Sequence, residues 1–171
     1  MAAAHARRRR RHRFRADRGP APQGHAVTYL LDTNVVSELR KGARTHPNVA
    51  AWFADVNDHD LYLSVLVVGE IRRGVEAIKH RDPTQSGAIE RWLGTLVRDY
   101  GDRILSVDRA VGEEWGRLTA IRVGSAVDTL LAATARVHHL TFVTRNVTHV
   151  AWTGVSCLNP FSPRDLTSGL M

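Results

Sequence analysis

Val27-Thr28-Tyr29-Leu30-Leu31-Asp32-Thr33-Asn34 is the stretch on which the fold turns. Residues 27–31 form a short apolar run that stops at a carboxylate, the pattern of a buried strand. Asp32 is the first polar side chain at the mouth of that strand. Working outward, the spacing predicts a short helix over 34–41 closed by Gly42. Pro47 opens a second helix to about residue 56, since proline in the first turn has no N–H to leave unpaired. Residues 61–63 read as a second strand. Ser64 then caps a long helix to about residue 80, with Val68, Ile71, Val75 and Ile78 at helical spacing.

A break at Asp82-Pro83 precedes a helix expected over 86–100, with Ile89, Leu93 and Leu96 turned inward. A third strand is expected at 104–107, and Asp108 caps a helix to about residue 122. After a loop at 123–127, Asp128 is expected to start a helix reaching residue 138. Strands follow at 140–143 and 155–158, before the Pro160 to Pro163 exit. Strands alternating with helices imply a mostly parallel central sheet of four to five strands, covered on both faces. In such sheets a ligand site lies outside the carboxyl ends of the strands.

The chain has 171 residues, enough for one domain with a real core. Its net charge of +7 is unevenly placed. Of 24 basic residues, eight are arginines within residues 1–26, where Asp17 is the sole acid; beyond them, sixteen basic residues face sixteen acidic ones. The excess therefore belongs to the first 26 residues, and the remainder carries no bulk charge signal for nucleic acid. Residues 1–26 read as a disordered arginine-rich extension. Two readings stand for it: an arm that adds salt-sensitive affinity for nucleic acid, or a segment that does nothing or is not made at all. One cysteine, Cys157, excludes an internal disulfide framework and a cysteine-built zinc site. The chain has no apolar run of bilayer length, and no apolar segment follows the arginines as a signal peptide requires. A cytoplasmic protein is expected.

Three acids sit where the site rule directs attention. Asp32 ends the first strand, with Thr33 and Asn34 as further oxygen donors or hydrogen-bond partners. Glu70 lies in the long helix between Gly69 and Gly74, two glycines that cost about 1 kcal/mol each relative to alanine. They would thin the helix surface for the approach of another backbone or a ligand. Asp128 heads a helix that is small or apolar nearly all round, and so buried. Each acid has a plainer role open to it: a helix cap for Asp32 and Asp128, an i,i+3 ion pair with Arg73 for Glu70. Together they say more. Carboxylates converging on one crevice repel each other unless a cation sits among them, and a hard divalent cation takes oxygen ligands. Such an ion activates water and offsets charge on a phosphoryl group, the chemistry of phosphodiester hydrolysis. Thr144, Arg145 and Asn146 follow the fourth strand on the same side. The hydroxyl and amide suit orienting a water, and the guanidinium suits a phosphate. Asn146 serves equally as a turn residue. Trp52, Trp92, Trp115 and Trp152 are expected as core or interface anchors, and His138-His139 as a helix terminus.

Leu31-Asp32-Thr33-Asn34-Val35, Ser64 through Gly69-Glu70-Ile71, Val127-Asp128 before Leu131-Ala132-Ala133, Val143-Thr144-Arg145-Asn146 and Leu158-Asn159-Pro160-Phe161 stand in an order that resembles PIN-domain proteins, and among them the VapC-type toxins of toxin–antitoxin pairs. The resemblance spans about residues 27–161 and implies a three-layer α/β/α fold over that range, with residues 162–171 as a tail. It further implies an Mg²⁺- or Mn²⁺-dependent endoribonuclease with Asp32, Glu70 and Asp128 as metal-binding and catalytic acids. RNA is the implied substrate, and a VapB-type antitoxin and a homodimer or toxin–antitoxin hetero-oligomer the implied assemblies. Two departures stand out. His149 occupies the place where a fourth acid is expected, and neutral imidazole is a poor Mg²⁺ partner. The segment 122–127 is short. The first departure motivates a rival, a catalytically degenerate domain that binds RNA or an antitoxin without cutting. A phospho-accepting α/β domain is a further rival, disfavoured because the chain's only lysines are Lys41 and Lys79.

Overall fold

In a strand, successive side chains point to opposite faces. Leu30 and Leu31 are both fully buried, as are Phe142 and Val143, so the sheet is covered on both sides. The structure, a computed structural model, describes residues 27–163. The expectations for 1–26 and for most of the 162–171 tail lie outside the described residues.

Five strands, β1 (Tyr29–Leu31), β2 (Leu61–Ser64), β3 (Ile104–Leu105), β4 (Thr141–Val143) and β5 (Cys157–Leu158), form one sheet in the order β3-β2-β1-β4-β5. All its pairings are parallel, with Leu30 opposite Tyr62 on one side and Phe142 on the other. The helices are α1 (Thr33–Leu39), α2 (Pro47–Asp55), α3 (Val65–Ile78), α4 (Pro83–Tyr100), α5 (Arg109–Ile121), α6 (Ala126–Val137) and α7 (Val147–Val150). α3 packs on α4 and α5 on α6. This is the three-layer α/β/α architecture expected, with β1 central.

The main core gathers Leu30, Leu31, Val67, Leu131 and Phe142. Trp52 is buried in it and Trp92 packs against its edge. A smaller cluster of Val111, Leu118 and Ala133 joins α5 to α6, with Trp115 and Trp152 against it. All four tryptophans are thus packing residues. Cys157 is half-buried at the core's margin, and burial pushes its thiol pKa up.

Several boundaries differ from expectation. β1 starts at Tyr29, leaving Val27 exposed. α4 starts three residues early, because Asp82 accepts the Gln85 N–H at 2.9 Å and Pro83 takes the first turn. Ser86 lies inside that helix, its hydroxyl donating to the Val75 carbonyl at 3.1 Å and tying α4 to α3. α6 starts at Ala126, with Ser125 as its cap. Asp128 is therefore in the first turn and does not begin the helix. Gly69 and Gly74 have open space where a Cβ would stand, so no neighbouring backbone uses the thin surface.

Candidate active site

Strands β1 to β3 step outward on one side of the sheet, and β4 and β5 on the other. The direction reverses between β1 and β4, the crevice where ligands bind in open parallel sheets. Asp32 and Thr144 are the first residues beyond those two strands. The Asp32 N–H donates to the Val143 carbonyl at 2.9 Å, which fixes the mouth of the crevice.

Asp32 is 7% exposed. Its Oδ1 accepts the Thr33 N–H at 2.7 Å, capping α1. Its Oδ2 accepts the Asn34 amide at 2.6 Å and the Thr144 hydroxyl at 2.6 Å. The Thr144 oxygen in turn accepts the Asn146 N–H at 3.0 Å, and Asn34 Oδ1 accepts the Arg145 N–H at 3.2 Å. So the cap role and the site role fall on one carboxylate. Burial raises the Asp32 pKa above its ordinary 3.8; the Thr144 and Thr33 hydrogen bonds pull the other way, and the charges of Asp128 and Glu70 push it further up.

Glu70 reaches the same corner from α3. Its Oε2 accepts the Thr33 hydroxyl, and Arg73 lies 4.0 Å from Oε1. The ion pair with Arg73 coexists with the site contact, so the plain reading of Glu70 is part of the answer and not the whole. Asp128, in the first turn of α6, has its Oδ2 3.7 Å from His149 Nδ1 on α7. The structure thus places Asp32, Asn34, Thr144 and Asn146 in one hydrogen-bonded set. Glu70 is joined to it through Thr33, Asp128 acts on it by charge, and His149 faces Asp128.

An all-carboxylate donor set suits a hard divalent cation, and the repulsion acting on Asp32 is what such an ion relieves. Among the described residues, no three His, Cys, Asp or Glu side chains already converge on a point at metal-binding geometry. A cavity of about 710 Å³ lies elsewhere. It opens beside Thr141, at the starting end of β4, and is lined by Arg117, Arg136, His139 and Ser156 with none of the three acids. Among the described residues no helix is long and apolar enough to cross a membrane.

A PIN-domain family model matches residues 29–149. The chain belongs to the PIN-domain family. Within it the chain stands with the VapC-type toxins. It is 46% identical over 71 residues to ribonuclease VapC14 of Mycobacterium tuberculosis, covering 42% of this chain and 68% of that protein. It is 32% identical over 139 residues to toxin FitB of Neisseria gonorrhoeae, covering 77% of this chain and 97% of that one. The crystal structure of FitAcB from the same organism superposes with a TM-score of 0.71 at 29% identity, over 78% of this chain and 99% of that one.

One feature of this PIN domain escaped the sequence reading. Glu38 is buried beside the Arg145 loop. Its spacing of four from Asn34 puts it on the same face of α1, which by itself does not mark it as buried.

Proposed function

We propose that this chain is a divalent-metal-dependent endoribonuclease, the toxin of a pair restrained by a VapB-type antitoxin, and that it works in the cytoplasm. The observation that carries the reading is the grouping of Asp32, Glu70 and Asp128 about the β1–β4 crevice, close enough that two of them raise the pKa of the third. Asp32, Asp128 and Glu70 would hold Mg²⁺ or Mn²⁺. The bound cation supplies charge against the phosphoryl oxygens and makes water a stronger nucleophile.

The chain's own groups do the rest. Thr33 N–H, the Asn34 amide and the Thr144 hydroxyl fix Asp32 in one orientation and favour its ionised form. The Thr33 hydroxyl orients Glu70. Asn146 steadies the Thr144 oxygen through its N–H, and Arg145 presents a guanidinium to the RNA backbone. The likeness to ribonuclease VapC14 supports RNA as the substrate class.

The test is digestion of RNA by the purified chain, stripped of antitoxin, in Mg²⁺, in Mn²⁺ and in EDTA. Cleavage that needs the metal and is lost in Asp32→Asn is expected. RNA binding with no cleavage under any metal would establish the second reading, a degenerate binding domain, which the His149–Asp128 contact favours.

A further inference from the structure

Two carboxylates are buried among the described residues, Asp32 and Glu38. Asp32 belongs to the acidic site. Glu38 lies one helical turn beyond Asn34, and its partners are two cations and a backbone N–H. Oε2 accepts from Lys41 Nζ at 2.7 Å, and Oε1 accepts the His46 N–H at 2.9 Å. Arg145 Nη2 lies 3.8 Å from Oε2, an ion pair rather than a hydrogen bond. The other side of that guanidinium is closed by Phe161, whose ring centroid is 3.9 Å from Arg145 Cζ. Phe161 is pinned in turn, since its carbonyl accepts from Asn48 Nδ2 at 2.9 Å and its N–H donates to Asn159 Oδ1 at 3.0 Å.

The charges do not cancel. One carboxylate faces two cations, leaving a net positive charge on the rim of a crevice lined with acids. Among the described residues, none of the five guanidinium N–H donors of Arg145 makes a hydrogen bond, and its side chain is 54% exposed. The group is therefore oriented by charge and stacking, while its donor fork stays open to a doubly accepting oxyanion. Its backbone N–H is tied to Asn34, which binds Asp32, so the fork is indexed to the acidic site.

We propose that Glu38 and Phe161 are positioning residues that aim Arg145 at an RNA backbone phosphate beside the acidic crevice. The inference rests on the ribonuclease reading and adds to it residues that touch neither the acids nor the scissile bond. Glu38 repels RNA as a charge and assists it as a brace, and these effects have opposite signs, which gives the test its power.

The experiment measures binding of a fluorescent single-stranded RNA to the full chain by anisotropy, in an Asp128→Asn background that prevents cleavage and leaves the Asp32–Asn34–Thr144 set intact. Arg145→Ala should weaken binding about tenfold, the scale of one charged hydrogen-bonded contact. Glu38→Gln should also weaken it, by about threefold, although it removes a negative charge. Phe161→Leu, which keeps an apolar side chain without the stacking face, should do likewise. Adding Glu38→Gln to Arg145→Ala should change nothing more, because the brace then has nothing to hold. Binding unchanged or tightened in both Glu38→Gln and Phe161→Leu would overturn the positioning role while leaving the ribonuclease reading in place. No RNA binding by the Asp128→Asn chain would overturn both.

Discussion

The Thr144 hydroxyl donates to Asp32 Oδ2 at 2.6 Å and joins the ends of β4 and β1 across 112 residues of chain. The same oxygen accepts the Asn146 N–H. Thr144→Val keeps the shape and removes these bonds, and the one that the Asn34 amide donates to the same oxygen at 3.3 Å, inside a buried corner where an unmet polar group costs about 1–3 kcal/mol. Urea unfolding should register a loss of that order. Loss of a donor also raises the Asp32 pKa further. A raised acid pKa means the folded state binds its proton more tightly, so ionising Asp32 lowers stability as pH rises from 3.8 through the raised value. In Thr144→Val that decline should extend to higher pH, and a carboxyl-carbon NMR titration would read it.

On the proposed reading, a cation held by Asp32, Glu70 and Asp128 relieves the repulsion that Asp128 and Glu70 exert on Asp32 and stabilises the folded chain. A divalent cation at a hundred times its dissociation constant should add about 2.7 kcal/mol, seen as a higher melting temperature. Asp128→Asn should weaken the response. An equal response to Mn²⁺ in wild type and Asp128→Asn would remove Asp128 from the ligand set.

His149 presents a nitrogen to Asp128 where an acid would add an oxygen. His149→Asp should bind Mg²⁺ more tightly by calorimetry and cleave RNA faster in Mg²⁺. The gain in Mn²⁺ should be smaller, because Mn²⁺ accepts imidazole more readily. A variant no better than wild type in Mg²⁺ would leave the fourth position without a role.

The hydrogen bond from Lys41 leads the causes that hold the Glu38 carboxyl below its ordinary 4.5, with the His46 N–H and the charges of Lys41 and Arg145 adding to it. A depressed acid pKa contributes stability that is full above 4.5 and is lost as pH falls through the lower folded value. The melting-temperature advantage of wild type over Glu38→Gln should therefore be largest at neutral pH and shrink in acid. An advantage independent of pH would show that packing, not charge, fixes Glu38.

Gly74 faces open space within α3, so Gly74→Ala should stabilise the chain by about 0.5–1 kcal/mol. If RNA cleavage falls while stability rises, the bare surface serves an approaching ligand.

The elements legible in the sequence were those with a local cause. Asp32 ends an apolar run, Ser64 and Asp108 cap helices, and Pro47 opens one; each signal lies within a few residues of its effect. Asp128 is the expected start of α6, but Ser125, three residues earlier, caps it, its hydroxyl oxygen meeting the Asp128 N–H at 3.4 Å. α7 is four residues long, too short for any apolar period to declare itself. Glu38 was illegible for a different reason. In a seven-residue helix a glutamate looks solvent-facing, and only the distant Arg145 and the His46 loop enclose it.

Because β1 lies between β2 and β4, its two edges are filled at different moments of synthesis. A nascent polypeptide that has left the ribosome only as far as α5 already carries Asp32 and Glu70. It has neither the strand that closes the second edge of β1 nor Asp128, Thr144 and Arg145. On the ribonuclease reading, activity is thus withheld until α6 and β4 have been made, and a fragment that stops at α5 lacks one acid and half the crevice.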